Sequence, residues 1–196
     1  VGTTAAGLPS DFIVTTRDFE IGENNVIARA DIASGDLLPK VDVNISGAGD
    51  KDLANGFKSH DDNTSITTAL GVLPLTYTSV YKDYSDDMRI GHIDGAASLQ
   101  GTEIPVDGVA VVGNATQAAN MPTEGKVGYT GDATYRKLGI GNAIEFGKSV
   151  FTADFVAKNV KGDLTFANAG KIGLAAGING NQFSGSADAN GGYLTE

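Results

Sequence analysis

The side chains able to hold a metal or a charged ligand are few. The chain has two histidines, His60 and His92, two methionines and no cysteine. Neutral imidazole is the commonest protein donor to transition metals. Around His92 the sequence gathers Tyr77, Val80, Tyr81, Tyr84, Met88, Ile90 and Ile93. Such an apolar and aromatic set suits the walls of a pocket for a flat organic ligand. Gly91, next to His92, lets backbone approach such a ligand closely, because it has no Cβ. Lys58, Lys82 and Arg89 are the nearby cations for a ligand's carboxylates, Arg being suited to bidentate contact. Tyr77, Tyr81, Tyr84 and Met88 are alternative metal donors. A strand Tyr more often packs its ring, and a Met more often fills a gap in a core. The plain alternative for either histidine is a solvated or packed side chain.

Other constellations fail on spacing. Asp50-x-Asp52-x-x-Asn55-Gly56 lacks the interval and the closing Glu of a calcium loop. Gly139-Ile-Gly141-Asn-Ala lacks the third glycine and the βαβ setting of a dinucleotide site, and reads as a turn between strands. No Gly-x-Ser-x-Gly elbow occurs, and two histidines cannot make a three-histidine zinc centre. The sequence makes no case for catalysis.

Charge separates the chain into two parts. Residues 1–120 hold seventeen Asp/Glu against seven Lys/Arg, and residues 121–196 hold seven of each, so the whole net charge of −10 lies in the first part. An acidic surface disfavours nucleic acid and anionic membrane as partners. No apolar run reaches the length of a membrane helix. Glycine contributes 27 of 196 residues and proline 5, which favours the tight turns of an all-β protein.

The elements that must position these residues read as strands. Asp11–Thr16, Asn25–Ala30, Val41–Ile45 and Gly108–Gly113 are β-prone runs, and Thr68–Tyr81 is a longer one. Pro74 within that run points to an edge or a bulge, since it cannot donate to a ladder. Polar His60–Thr64 reads as a loop able to close over a ligand. Gly47–Gly56 reads as a turn with a short helical piece, and Asn114–Thr123 as a linker. In the last third, Phe151, Ala153 and Phe155 alternate with polar residues. Past a turn at Lys158-Asn159, so do Val160, Gly162, Leu164 and Phe166. Two period-two runs around a polar turn predict an antiparallel hairpin with one buried face.

Three stretches carry a resemblance: Gly128-Tyr-Thr-Gly-Asp-Ala133, Phe151-x-Ala-Asp-Phe155 followed by Lys161-Gly162, and Ile178-Asn-Gly-Asn-Gln-Phe-Ser-Gly185. They resemble the barrel strands of Gram-negative surface lipoproteins related to transferrin-binding protein B. With no cysteine to bear a lipid, the chain is similar within that group to the hemophilins. The family barrel runs on past a Gly-Gly-aromatic turn, whereas this sequence ends at Gly191-Gly-Tyr-Leu-Thr-Glu196.

The resemblance implies a mainly β protein. A small N-terminal heme-binding domain, residues 1–118, would precede a C-terminal eight-stranded antiparallel β-barrel, residues 119–196. It implies a secreted hemophore exported by the machinery for surface lipoproteins. The hemophore would take heme, with a host heme protein as a further partner, and deliver it to an outer-membrane receptor. Histidine is the usual axial donor to heme iron, so His60 and His92 are the leading ligands. Tyr77, Tyr81, Tyr84, Met88, Ile90 and Gly91 are then the pocket, and Lys58, Lys82 and Arg89 the propionate contacts. The rival expectation is an acidic module that grips a host protein and no small ligand.

Overall fold

The computed structural model describes residues 11–15, 29–32, 40–68, 71–85, 88–113, 116–137, 141–189 and 192–194. These residues are nearly all strand. The only helical pieces among them are single 3₁₀ turns at Ala54–Gly56 and Ala118–Asn120. Among the described residues no helix is long and apolar enough to cross a membrane, which says nothing about crossing by strands. The chain divides into two compact units, Val1–Asn114 with Leu138–Asn142, and Ala115–Lys137 with Ala143–Glu196.

The N-terminal unit contains β1 (Asp11–Thr15), β2 (Arg29–Ile32), β3 (Lys40–Asn44), β4 (Lys51–Asp52), β5 (Lys58–Thr68), β6 (Gly71–Tyr84), β7 (Met88–Leu99) and β8 (Thr102–Gly113). Six of them form one antiparallel sheet in the order β2-β8-β7-β6-β5-β4, while β1 and β3 make a parallel pair. Strand β6 shows why the sheet has an inside. Leu73, Leu75, Tyr77, Ser79 and Tyr81 are buried, while Val72, Pro74 and Thr76 between them are exposed. Across β5, β7 and β8 the same face adds Ile66, Ile93, Ala97 and Val106, and Ile45 completes the cluster. Each large aliphatic side chain buried there is worth roughly 1.5–3 kcal/mol.

Two sequence expectations are corrected in this unit. His60–Thr64 is not a loop but the middle of β5, paired residue by residue with Ser79 to Leu75 of β6. Among the described residues β4 pairs with Ser59 and Lys58 alone, so most of β5 stands there as a sheet edge. A polar, charged edge strand resists pairing with other chains, which accounts for a composition that reads as loop. Pro74 does not make β6 an edge strand, since β6 lies between β5 and β7. The β6–β7 ladder begins at Leu75↔Ala97, so Pro74 stands just beyond it.

The C-terminal unit contains β9 (Lys126–Tyr135), β10 (Glu145–Asp154), β11 (Asn159–Phe166), β12 (Gly170–Asn179), β13 (Gln182–Ala189) and β14 (Gly192–Leu194), paired consecutively in one antiparallel meander. The expected hairpin is β10–β11, with Phe151 opposite Gly162 and Ala153 opposite Val160. Ala133, Phe166 and Ile172 form its buried cluster, and Leu164, Tyr135 and Ala187 pack on it. Lys126–Asp154, Lys148–Asp132 and Lys171–Asp163 pair on the other face. Gly147 and Gly162 sit where a Cβ would run into Phe166 and into the β10 backbone, respectively. These glycines are the small positions that let large rings cross a narrow interior. The described residues supply six strands, against the eight that the resemblance implies. The turn read at Gly139–Gly141 and the strand expectations at residues 16 and 25–28 fall wholly or partly outside the described residues.

Candidate functional site

Strand register decides which nominated residues meet. Residues directly opposite one another in neighbouring strands project to the same face. His60 lies opposite Ser79, and Ser79 opposite Ile93, all on the core face. His92 lies opposite Val80, and Val80 opposite Ser59, on the other face. The two histidines therefore point away from each other, on strands separated by β6 and so about 10 Å apart across the sheet. Two axial ligands of one heme must approach the same iron from its two sides. With a sheet between them, His60 and His92 do not form such a pair, and the expectation of paired ligation is corrected.

The other nominated residues divide the same way. Tyr77, Tyr81, Gly91, Arg89 and Lys58 are on the His60 face. Tyr84, Met88, Ile90 and Lys82 are on the His92 face. His92 is 7% exposed and Val80 6%, whereas Met88 is 36% exposed. Lys82 donates from Nζ to the Asn55 carbonyl at 2.6 Å and stands 5.5 Å from the centroids of both Phe57 and Tyr84. Arg89 is not a surface cation. It is 1% exposed, and its Nε and Nη2 hold the Asp83 carboxylate at 2.5 and 2.9 Å. Its Nη1 donates to Ser46 Oγ at 2.6 Å, and its guanidinium lies 4.4 Å from the Tyr81 ring centre. A guanidinium so engaged is a structural group of the fold, which corrects its assignment to propionates.

Sequence reasoning missed the network around His60. Asp50 Oδ1 accepts from His60 Nδ1 at 2.7 Å. Asp50 Oδ2 accepts from Tyr81 Oη at 2.5 Å, and the Gly47 N–H donates to both carboxylate oxygens at 3.1 Å. On the far side of the ring, His60 Nε2 lies 3.6 Å from Asp62 Oδ2, on which Tyr77 Oη also donates at 3.4 Å. Asp50 comes from a turn ten residues earlier, so no local spacing announces it. The His60-x-Asp62 alternation is the available signal, masked by the polar composition of residues 60–64. Among the described residues, no three His, Cys, Asp or Glu side chains converge as a metal cluster.

Burial alone would raise the Asp50 carboxyl. The hydrogen bonds from Tyr81, Gly47 and His60 and the charge of His60 outweigh it, and the group titrates below its usual value of 3.8. A lowered folded-state value means stability that is complete above the ordinary carboxylate range and lost as pH falls through the lower folded value. Acid unfolding below about pH 4 is accordingly expected to be shallower in Asp50→Asn, read as ellipticity against pH. An unchanged acid limb would remove Asp50 from the account of acid stability.

Comparison with known proteins bears on the C-terminal unit. Residues 121–193 match the family model described as the C-lobe and N-lobe β-barrels of Tf-binding protein B. The match takes in β9 to β13 and nearly all of β14, so the barrel kinship seen in Gly128–Ala133 and the hairpin holds for that stretch. No curated protein matches the chain.

Proposed function

We propose that the chain is a non-enzymatic heme carrier, exported to or beyond the bacterial surface, whose N-terminal unit holds heme through one axial histidine, His92. The observation that carries this reading is the sorting of side chains by the sheet. His92, Val80, Ile90, Tyr84, Met88 and Lys82 share one face of β6 and β7. That face offers an imidazole, apolar and aromatic walls, and a cation, which are the three things a porphyrin with propionates needs. Met88 is four residues from His92 along β7, about 13 Å, too far to be the second ligand of the same iron. His92 supplies the iron bond, Ile90 and Val80 exclude water, and Lys82 exchanges the Asn55 carbonyl for a propionate. The C-terminal unit is the scaffold and export element, by likeness to the transferrin-binding protein B barrel. Delivery is to an outer-membrane heme receptor, with a host heme protein as the source.

Titration of the purified chain with hemin is expected to give a sharp Soret band with a one-to-one endpoint. The visible bands are expected to be those of a heme with a single protein nitrogen donor, not the split pair of a two-histidine complex. Hemin spectra that only sum free heme and protein would refute the proposal.

A second reading has one observation in its favour, the printed name of the matched family, Tf-binding protein B. Under it the chain is a surface or secreted module gripping a host protein with its acidic N-terminal unit. Stoichiometric capture of a serum protein, without any change in visible absorption, would favour it over heme carriage.

A further inference from the structure

We propose that the opposite face of the same sheet carries a separate metal site, at which His60 Nε2, Asp62 Oδ2 and Tyr77 Oη take up one ferric ion. The strands build this site directly. His60 and Asp62 are alternate residues of β5 on one face, and Asp62 lies opposite Tyr77 of β6. Asp62 Oδ2 is 3.6 Å from His60 Nε2 and 3.4 Å from Tyr77 Oη. Donors sharing an ion at roughly 2.0–2.2 Å stand about 3.0–3.5 Å apart, so small side-chain shifts complete the geometry.

The surroundings of His60 are those of a metal ligand. Asp50 is a carboxylate and can only accept, so its 2.7 Å bond places a proton on His60 Nδ1. On the opposite side of the ring Nε2 faces a second carboxylate, Asp62, at 3.6 Å. A cation seated between that nitrogen and the carboxylate oxygen would be held by both. A carboxylate holding the far nitrogen of a ligating histidine is the usual outer support of metal sites. Asp50 is itself fixed by Tyr81 and the Gly47 N–H. A Cβ on residue 47 would come within 2.5 Å of His60 Cε1, so glycine there lets the turn lie against the imidazole.

The donor set selects the ion. Imidazole suits several first-row metals and carboxylate suits hard ones. A phenol whose ordinary pKa is about 10 becomes a ligand only to a strongly acidic cation. Asp50, Asp62 and a deprotonated Tyr77 supply three negative charges, which balance a ferric ion. The Tyr77 proton passes to solvent as the iron–oxygen bond forms, with no change in oxidation state. The site is distinct from the heme face, and either proposal can fail alone.

The test is titration of the full chain with ferric ion supplied as its nitrilotriacetate chelate. One equivalent is expected to bind and to produce a visible phenolate-to-iron charge-transfer band, with one proton released. Tyr77→Phe is expected to abolish the band, and His60→Ala and Asp62→Asn to lower affinity at least tenfold. Asp50→Asn, changing a positioning residue, is expected to lower affinity about 10–100-fold while keeping the band. His92→Ala is expected to leave iron uptake unchanged. Uptake below one equivalent, or a band that survives Tyr77→Phe, would overturn the proposal. Should Tyr77→Phe misfold, Asp62→Asn at the partly exposed end of the site decides in its place, and unchanged affinity in that variant would also overturn it.

Discussion

Arg89→Ala is expected to lower the stability of the N-terminal unit by about 3 kcal/mol, the lower end of the usual cost of breaking a buried ion pair. Arg89 is 1% exposed, and each of its guanidinium nitrogens donates to Asp83 or Ser46. Truncation leaves a void against the Tyr81 ring and takes the bidentate partner from Asp83. The Asp83 side chain is 40% exposed, so water recovers part of its solvation, which places the loss at the low end. Arg89→Met, which keeps much of the volume, is expected to lose less. Denaturant unfolding of the three proteins measures the effect. A cation serving only propionates would behave oppositely, with heme affinity falling while the unfolding midpoint stayed in place.

The second large effect belongs to the C-terminal unit. Gly162→Val is expected to cost about 3 kcal/mol or more, above the ordinary range for an overpacked core. A Cβ at Gly162 meets the Val150 carbonyl and the Phe151 Cα across the β10–β11 pair. Those atoms are backbone and cannot move aside without breaking the ladder. Gly177→Val is the control, since a Cβ there meets nothing within 4 Å. Valine favours strands over glycine, so that variant is expected to equal or exceed the parent in thermal unfolding. Equal losses in the two variants would show that glycine at 162 has no packing role.

The barrel hairpin was legible because both strands carry the same period-two pattern on either side of a short break. That pattern puts Phe151, Ala153, Val160 and Gly162 on one face, but their pairing, Phe151 with Gly162 and Ala153 with Val160, is set by a turn at residues 155–158 rather than at Lys158-Asn159. The N-terminal site was half legible. His92, Ile90, Tyr84, Met88 and Lys82 were nominated by proximity in sequence, and the β6–β7 hairpin keeps them on one face. The other nominees alternate with them and so project to the other side. Their separation depends on hairpin register, and a slip of one residue at either connection would exchange the faces. Composition says nothing about that register. Strand β5 was hidden for a different reason. Asp, Asn and Ser are poor strand formers in isolation, and the ladder to β6 overrides that preference. Arg89 reads as a surface cation because its burial is invisible in sequence: Asp83 is only six residues away, but Ser46, 43 residues away, is brought to it by the fold alone.

The direct test of the central claim is a hemin titration of His92→Ala and His60→Ala beside the parent chain. His92 shares its face with Ile90, Tyr84, Met88 and Lys82, whereas His60 is held between Asp50 and Asp62 on the other side. The expected result is loss of the Soret band in His92→Ala and a band of parental shape and affinity in His60→Ala. A band retained in His92→Ala, or lost in His60→Ala, would contradict the assignment of heme to the His92 face.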